Sequence, residues 1–253
     1  MTLAEFLILG LAAAGAGLVN ALAGGGTLIS FPVLLALGVP PIVANVTNAV
    51  ALCPGYCGAT LAQRRNLDGQ GRRLWVCVPA ALLGGIAGAL ILVRTHERTF
   101  QLLVPYMLFL AALLLAVQER VRAFVVARTQ LHAGRSMLAM AGIAVAFAGV
   151  YGGFFSAGMS VILLALVALT VDDSFTRLNA LKQVLAFAVN VAAATFFLFS
   201  GHVLWSVAAV MAAGALAGGA LGGRIAGRIK PATLRWTVVA VGFGLATYYR
   251  VKG

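Results

Sequence analysis

Long apolar runs, separated by short polar or glycine-rich stretches, recur along the whole 253-residue chain. Ten segments read as hydrophobic: 3–22, 27–38, 42–62, 74–93, 100–117, 137–155, 159–171, 174–199, 203–222 and 233–249. A helix needs about 20 apolar residues to cross a bilayer core, and eight of the ten come near or exceed that length. Hydrocarbon leaves no solvent partner for backbone N–H and C=O groups, so such runs close their hydrogen bonds as helices. The pattern predicts an all-α polytopic membrane protein. Two segments fall short: as helices, 27–38 extends about 18 Å and 159–171 about 20 Å, against a core of about 30 Å. Each follows a glycine-rich break, Gly24-Gly25-Gly26-Thr27 in one case and Gly152-Gly153-Phe154-Phe155-Ser156-Ala157-Gly158 in the other.

The two breaks occupy matching places in a repeat. Gly84-Gly85-Ile86-Ala87-Gly88-Ala89 matches Gly218-Gly219-Ala220-Leu221-Gly222-Gly223, and Thr99 after the first copy aligns with Thr233 after the second. The chain therefore divides into a first transmembrane repeat, 1–118, a cytoplasmic linker, 119–136, and a second repeat, 137–253. Each repeat holds five segments, with a short broken or re-entrant helix after its glycine motif. Five is odd, so the second repeat is expected to be inverted relative to the first. Paired interruptions in inverted repeats point to a substrate site near mid-membrane. The Gly84 and Gly218 stretches read mainly as helix-packing surfaces, because small residues at i,i+4 let helices approach closely.

Charge supports this organisation. Only 9% of residues are charged, against about 25% in soluble proteins. The net charge of +12 does not imply nucleic acid, because the basic residues cluster between apolar runs, where they set orientation. Arg64, Arg65, Arg72 and Arg73 mark one cytoplasmic loop, Arg120, Arg122, Arg128 and Arg135 a second, and Arg224, Arg228 and Lys230 a third. If both short segments cross, all three loops share one side, with ten crossings and both termini outside. If both are re-entrant, eight crossings remain and the third loop is misplaced. Ten crossings are preferred, with Arg250 and Lys252 external against the orientation rule. The N-terminal run has no Lys or Arg before it and reads as a retained helix rather than a cleaved signal.

Chemistry is sparse. The acidic residues Glu5, Asp68, Glu97, Glu119, Asp172 and Asp173, and the histidines His96, His132 and His202, all lie in loops or near segment ends. This argues against a buried proton relay and against acid–base catalysis; no enzyme activity, cofactor or metal is expected. Cys53, Cys57 and Cys77 read as small packing residues. One segment does carry polar groups: Asn179, Lys182 and Gln183 share a helix face. A central lysine costs roughly 2.5–3.5 kcal/mol to insert. Lys182 is thus an anion contact, the partner of Asp172 or Asp173, or a side chain that snorkels to the interface. In the first half, Asn45, Thr47 and Asn48 offer uncharged hydrogen-bonding groups, with helix capping after Pro40-Pro41 as the competing role. Helices starting at Thr27 and near Met159 would present N–H groups and partial positive charge to an anion. The candidate binding set is Gly24, Gly25, Gly26, Thr27, Asn45, Thr47, Asn48, Ser156, Gly158, Asn179 and Lys182, with glycine packing as the rival account of the breaks.

The run Asn20-Ala21-Leu22-Ala23-Gly24-Gly25-Gly26-Thr27, followed by Phe31-Pro32-Val33-Leu34, resembles the first signature of the sulfite exporter TauE/SafE family, also called the toluene sulfonate uptake permeases. Tyr151-Gly152-Gly153-Phe154-Phe155-Ser156-Ala157-Gly158-Met159, then Leu178-Asn179-Ala180-Leu181-Lys182 and Gly201-His202-Val203, are similar to its second half. The resemblance implies a multi-pass secondary carrier of the bacterial inner membrane for small sulfur-containing anions such as sulfite or organosulfonates. The second half departs from the first, with Ser156-Ala157-Gly158 in place of three glycines and no following proline. A passive anion channel, or a carrier for another small anion, is the alternative. The expected partners are a small anion and the lipid bilayer, without nucleic acid; a homodimer is compatible with the sequence.

Overall fold

The computed structural model describes residues 1–22, 25–127, 135–225 and 231–252. These form the helices α1 (Leu3–Leu22), α2 (Thr27–Ala36), α3 (Pro41–Ala62), α4 (Gly71–Arg94), α5 (Glu97–Ala127), α6 (Arg135–Phe154), α7 (Met159–Thr170), α8 (Phe175–Leu198), α9 (Trp205–Ile225) and α10 (Pro231–Lys252), with a 3-10 turn at Arg64–Leu67. No strand occurs among the described residues. Among the described residues, six helices are long and apolar enough to cross a membrane; α2, α7 and the apolar part of α9 are shorter. The fold is an all-α polytopic membrane protein. Trp75 and Phe199 are 83% and 86% exposed, and large apolar side chains also cover the outer faces of α1, α4, α5 and α6. Lipid favours such a surface, whereas water would penalise it.

Local chemistry sets the helix ends. Pro41 opens α3 at its first turn, where the missing N–H is no loss. Gly38, at φ 79°, turns the chain after α2 in a conformation that side chains with a Cβ resist. Pro32, Pro54, Pro79 and Pro105 sit inside helices, as membrane helices tolerate when neighbours re-satisfy the backbone.

Each major packing has a counterpart when α1–α5 are exchanged for α6–α10. Helix α1 packs on α9 and α6 on α4; α4 packs on α8 and α9 on α3; α3 and α8, and likewise α5 and α10, pack on each other. The α4–α6 seam is closed by Gly84 and Gly88: a Cβ there would lie 2.3 Å from the Ala146 carbonyl oxygen and 2.1 Å from that of Val150. The α1–α9 seam repeats this, with Gly214 against the Gly10 carbonyl oxygen at 2.3 Å and Gly218 against that of Ala14 at 1.8 Å. The two glycine stretches of the sequence are thus helix-contact surfaces.

Helix α5 serves as a ruler for the breaks. A Cβ on Gly25 would meet Leu115, and one on Gly158 would meet Leu114 and Ala111, so both breaks face the middle of this 31-residue helix. From there the short helices diverge. The turn after α2 lines a cavity with Arg98 and Gln101, in the first turns of α5. The residue that opens α8 just after α7, Phe175, lies under the Arg122 guanidinium, 4.8 Å from the ring centroid, near the other end of α5. Each short helix therefore covers only half the depth that a full span covers.

Candidate substrate site

The centre of the molecule is polar within an apolar shell. Thr27, Ser30, Asn45, Asn48 and Ser156 are all buried, none more than 8% exposed. The Thr27 and Ser156 hydroxyls lie 3.2 Å apart and share a hydrogen bond, which joins the two breaks directly. Ser30, one turn along α2, donates to Asn48 Oδ1 at 2.5 Å. Asn45 Nδ2 donates to the Phe154 carbonyl at the end of α6, at 2.8 Å. Helix α3 therefore clasps both breaks, one through each asparagine. Asn48 Nδ2 has no hydrogen-bond partner, and a buried donor left unpaired costs about 1–3 kcal/mol. That donor stands beside the start of α2, where no side chain caps the helix; α7 also starts without a side-chain cap. Hydroxyls, an amide donor and two uncapped helix starts meet here, and no carboxylate makes a hydrogen bond within the cluster.

Backbone demands account for the described glycines. Gly25 and Gly158 have φ of 92° and 79°, the left-handed region. A Cβ on Gly26 would lie 2.3 Å from the Ala16 carbonyl oxygen, so α1 seats against the start of α2 only with glycine there. Gly24 lies outside the described residues. Aromatic rings brace the second break: Phe155 packs edge-on against Phe31, with centroids 5.3 Å apart, and Phe154 against Phe100 at 5.5 Å. The Tyr151 hydroxyl donates to the Ala157 carbonyl at 2.7 Å and ties the break back onto α6.

The other polar residues named from sequence go elsewhere. Thr47 Oγ1 accepts the Leu204 N–H at 3.1 Å, at the start of α9. No side chain of α3 caps its own start; Glu97 instead accepts the Ile42 N–H at 2.9 Å. Asn179 donates to Gln63 Oε1 at 2.8 Å, and Lys182 Nζ donates to Asn179 Oδ1 at 2.9 Å. Thr60 also donates to the Gln183 carbonyl, so the first turns of α8 lie beside the last turns of α3. Asn48 is twelve residues earlier than Thr60 on α3, about 18 Å away along a helix. Asn179 and Lys182 thus form a second polar group, at the end of the basic loops. Asp173 is held there by Arg177, at 2.9 Å, and by Arg73, and Lys182 pairs with an amide rather than with a carboxylate. Burial pushes the Asp173 carboxyl up, but the hydrogen bonds from Arg177 and Arg73 outweigh it and hold it below its ordinary value.

With this geometry in view, comparison with known proteins is direct. Residues 9–249 match the family described as sulfite exporter TauE/SafE. The chain belongs to the TauE/SafE family. A relative from Haemophilus influenzae, named a probable membrane transporter protein, is 30% identical over 203 residues, covering 79% of this chain and 77% of the relative. Another probable membrane transporter protein, ORF9 from a Sinorhizobium species, is 29% identical over 207 residues, or 79% of this chain and 74% of its own. The Escherichia coli K12 probable membrane transporter protein YfcA is 26% identical over 202 residues, with 79% and 72% covered. This TauE/SafE chain is a multi-pass membrane transporter.

Two residues, one in each polar group of this TauE/SafE chain, were not singled out from sequence. Ser30 has a legible signal, since it lies three residues after Thr27, on the same face of a short apolar helix. Gln63 has none, because only the α3–α8 packing brings it to Asn179.

Proposed function

We propose that this protein is a secondary transporter of a small sulfur-containing anion, such as sulfite or an organosulfonate, working by alternating access in the bacterial inner membrane. The observation that carries the reading is the Thr27–Ser156 hydrogen bond, which joins two breaks 129 residues apart at the level where both face the middle of α5. Two inverted repeats, 1–118 and 137–253, are the arrangement that best accounts for the exchanged helix pairings and for short helices leaving one level in opposite directions. Gly25, Gly26, Thr27, Ser156 and Gly158 form the cradle. Asn45 and Asn48 position it, and the unpaired Asn48 amide donates to an anion oxygen. Thr47 fixes α9 against α3. Lys182 and Asn179 attract the anion at the basic-loop side, from which α8 leads to the centre.

Half-helix starts and neutral donors offer partial positive charge without a fixed ion. This suits an anion that must leave as readily as it enters. With no carboxylate bonded into the centre, a proton can ride on sulfite, whose second ionisation lies near neutrality.

The test is uptake of labelled sulfite and of an organosulfonate by proteoliposomes. Thr27→Val with Ser156→Ala should cut saturable flux about tenfold or more, the loss expected when a buried site is deprived of polar contacts worth about 1.5 kcal/mol or more. Flux equal to the parent protein would refute the central site. Counterflow separates carrier from passive pore: preloaded unlabelled anion should accelerate uptake, and conductance without counterflow would establish a channel instead.

A further inference from the structure

We infer that the cavity at the far end from the basic loops is a second anion site, built by Arg98 and Arg250 for an organic oxyanion that carries an apolar arm. The cavity measures about 480 Å³ and lies between the turn after α2, the first turns of α5 and the last turn of α10. That volume falls within the roughly 300–1,000 Å³ of small-ligand pockets. Its polar lining consists of Arg98, Gln101, Tyr249 and Arg250; Leu102, Pro105 and the 38–41 turn supply apolar walls, and no carboxylate lines it.

Three observations point to a ligand there. First, the two arginines that line the cavity come from helices far apart in sequence, and no carboxylate lines it with them. Glu97, next to Arg98, is engaged by the Ile42 N–H, and Arg250 donates to the Tyr106 hydroxyl and lies 5.1 Å over its ring. That contact holds the group in place, and no ion pair to Arg250 occurs among the described residues. Second, among the described residues the cations at this end of their helices are Arg94, Arg98, Arg250 and Lys252. Orientation rules disfavour cations on the side opposite the basic loops, so two that line one cavity there are not explained by topology. Third, part of the negative end of α2 is already engaged: the Val33, Leu34 and Leu35 carbonyls accept the Leu37, Val39 and Gly38 N–H groups.

A guanidinium fork matches an oxyanion bidentately, and the apolar walls require a hydrocarbon group beside it. A sulfonate, a carboxylate or the phosphate of an anionic lipid headgroup has this chemistry. The cavity lies at one end of α2 and the cradle at the other, about 15 Å apart along ten residues. It is thus placed to capture an anion before transfer inward, a role that rests on the transport reading above, whereas the binding itself does not.

The experiment uses the full chain purified in detergent and in phosphatidylcholine nanodiscs. Benzenesulfonate binding is measured by calorimetry, and retention of phosphatidylglycerol by native mass spectrometry. Both are measured for the parent, for Arg98→Gln/Arg250→Gln and for Arg94→Gln, whose cation is at the same end but does not line the cavity. The proposal expects the double variant to bind one probe at least tenfold more weakly and Arg94→Gln to bind normally. Loss of benzenesulfonate identifies a soluble ligand, and loss of phosphatidylglycerol alone a lipid headgroup. Leu102→Trp, which fills the cavity without changing charge, should reproduce the loss and covers the case of a double variant that fails to fold. Repeating the binding in Thr27→Val/Ser156→Ala protein, where outer-site binding should persist, separates this site from the central one. Unchanged binding of both probes to the double variant, or an equal loss in Arg94→Gln, would overturn the outer site.

Discussion

Gly158 and Gly38 share a φ of 79° but not their surroundings. A Cβ on Gly158 would press on Leu114 at 3.0 Å, whereas one on Gly38 would meet nothing within 4 Å. Alanine at either position costs about 1–2 kcal/mol for the left-handed backbone, and at Gly158 the packing cost adds to it. Thermal unfolding in detergent should therefore fall further for Gly158→Ala than for Gly38→Ala, and equal midpoints would show that the break is not packed on α5. Lys182 is the other residue whose placement decides its role. Its ammonium is bonded only to an amide, so no carboxylate is stranded when the charge is removed. Lys182→Met should leave the fold intact and weaken anion uptake strongly; undiminished flux in proteoliposomes would remove Lys182 from the pathway.

At the scale of elements, the α7–α8 connection is fastened to α4 by charge. Asp173 accepts from both Arg73 and Arg177, and Gln70 donates to the Arg177 carbonyl. The Asp173 carboxyl titrates below its ordinary value, so its folded-state pKa lies under the unfolded one. The stability it adds is present above the unfolded pKa, about 3.9, and is lost as pH falls through the folded value. Asp173→Asn should thus lower the melting point at neutral pH, and the gap from the parent protein should close below about pH 4. A gap that persists in acid would mean that the carboxylate charge is not what fastens this connection. On the opposite face, Glu97 ties α5 to α3 through a single N–H, so the two ends of the molecule are closed by unlike devices.

For the whole molecule, the distribution of cations sets an orientation that labelling can read. The α3–α4 connection, the ends of α5 and α9 and the starts of α6 and α10 lie at one end, and the 95–96 and 199–204 connections at the other. In a chain freed of Cys53, Cys57 and Cys77, Arg72→Cys should be shielded from an impermeant maleimide added to intact spheroplasts, and His96→Cys should react. Labelling of both from the same side would contradict the arrangement. The breaks lie between these ends, so short helices that turn at mid-depth keep the three basic loops together, as two full crossings would. This reconciles the short length of 27–38 and 159–171 with the loop charges.

Much of this was legible in the residues themselves. Apolar runs of bilayer length determine helices, because hydrocarbon offers the backbone no other partner. Glycine breaks at matching places mark where those helices stop, and clustered arginines mark one side. The signatures around Gly24–Thr27 and Tyr151–Met159 identified the family. What lay beyond reach was convergence. That Thr27 meets Ser156, that Asn45 and Asn48 serve different breaks, and that Lys182 and Asn179 sit with Gln63 away from the centre all depend on the direction in which α3 and α8 pass each other. Helical periodicity fixes which face a residue occupies but carries no information on the level at which two distant helices cross. Only the packed bundle, through its glycine seams and the antiparallel α3–α8 pair, sets those levels and so decides which polar groups share a site.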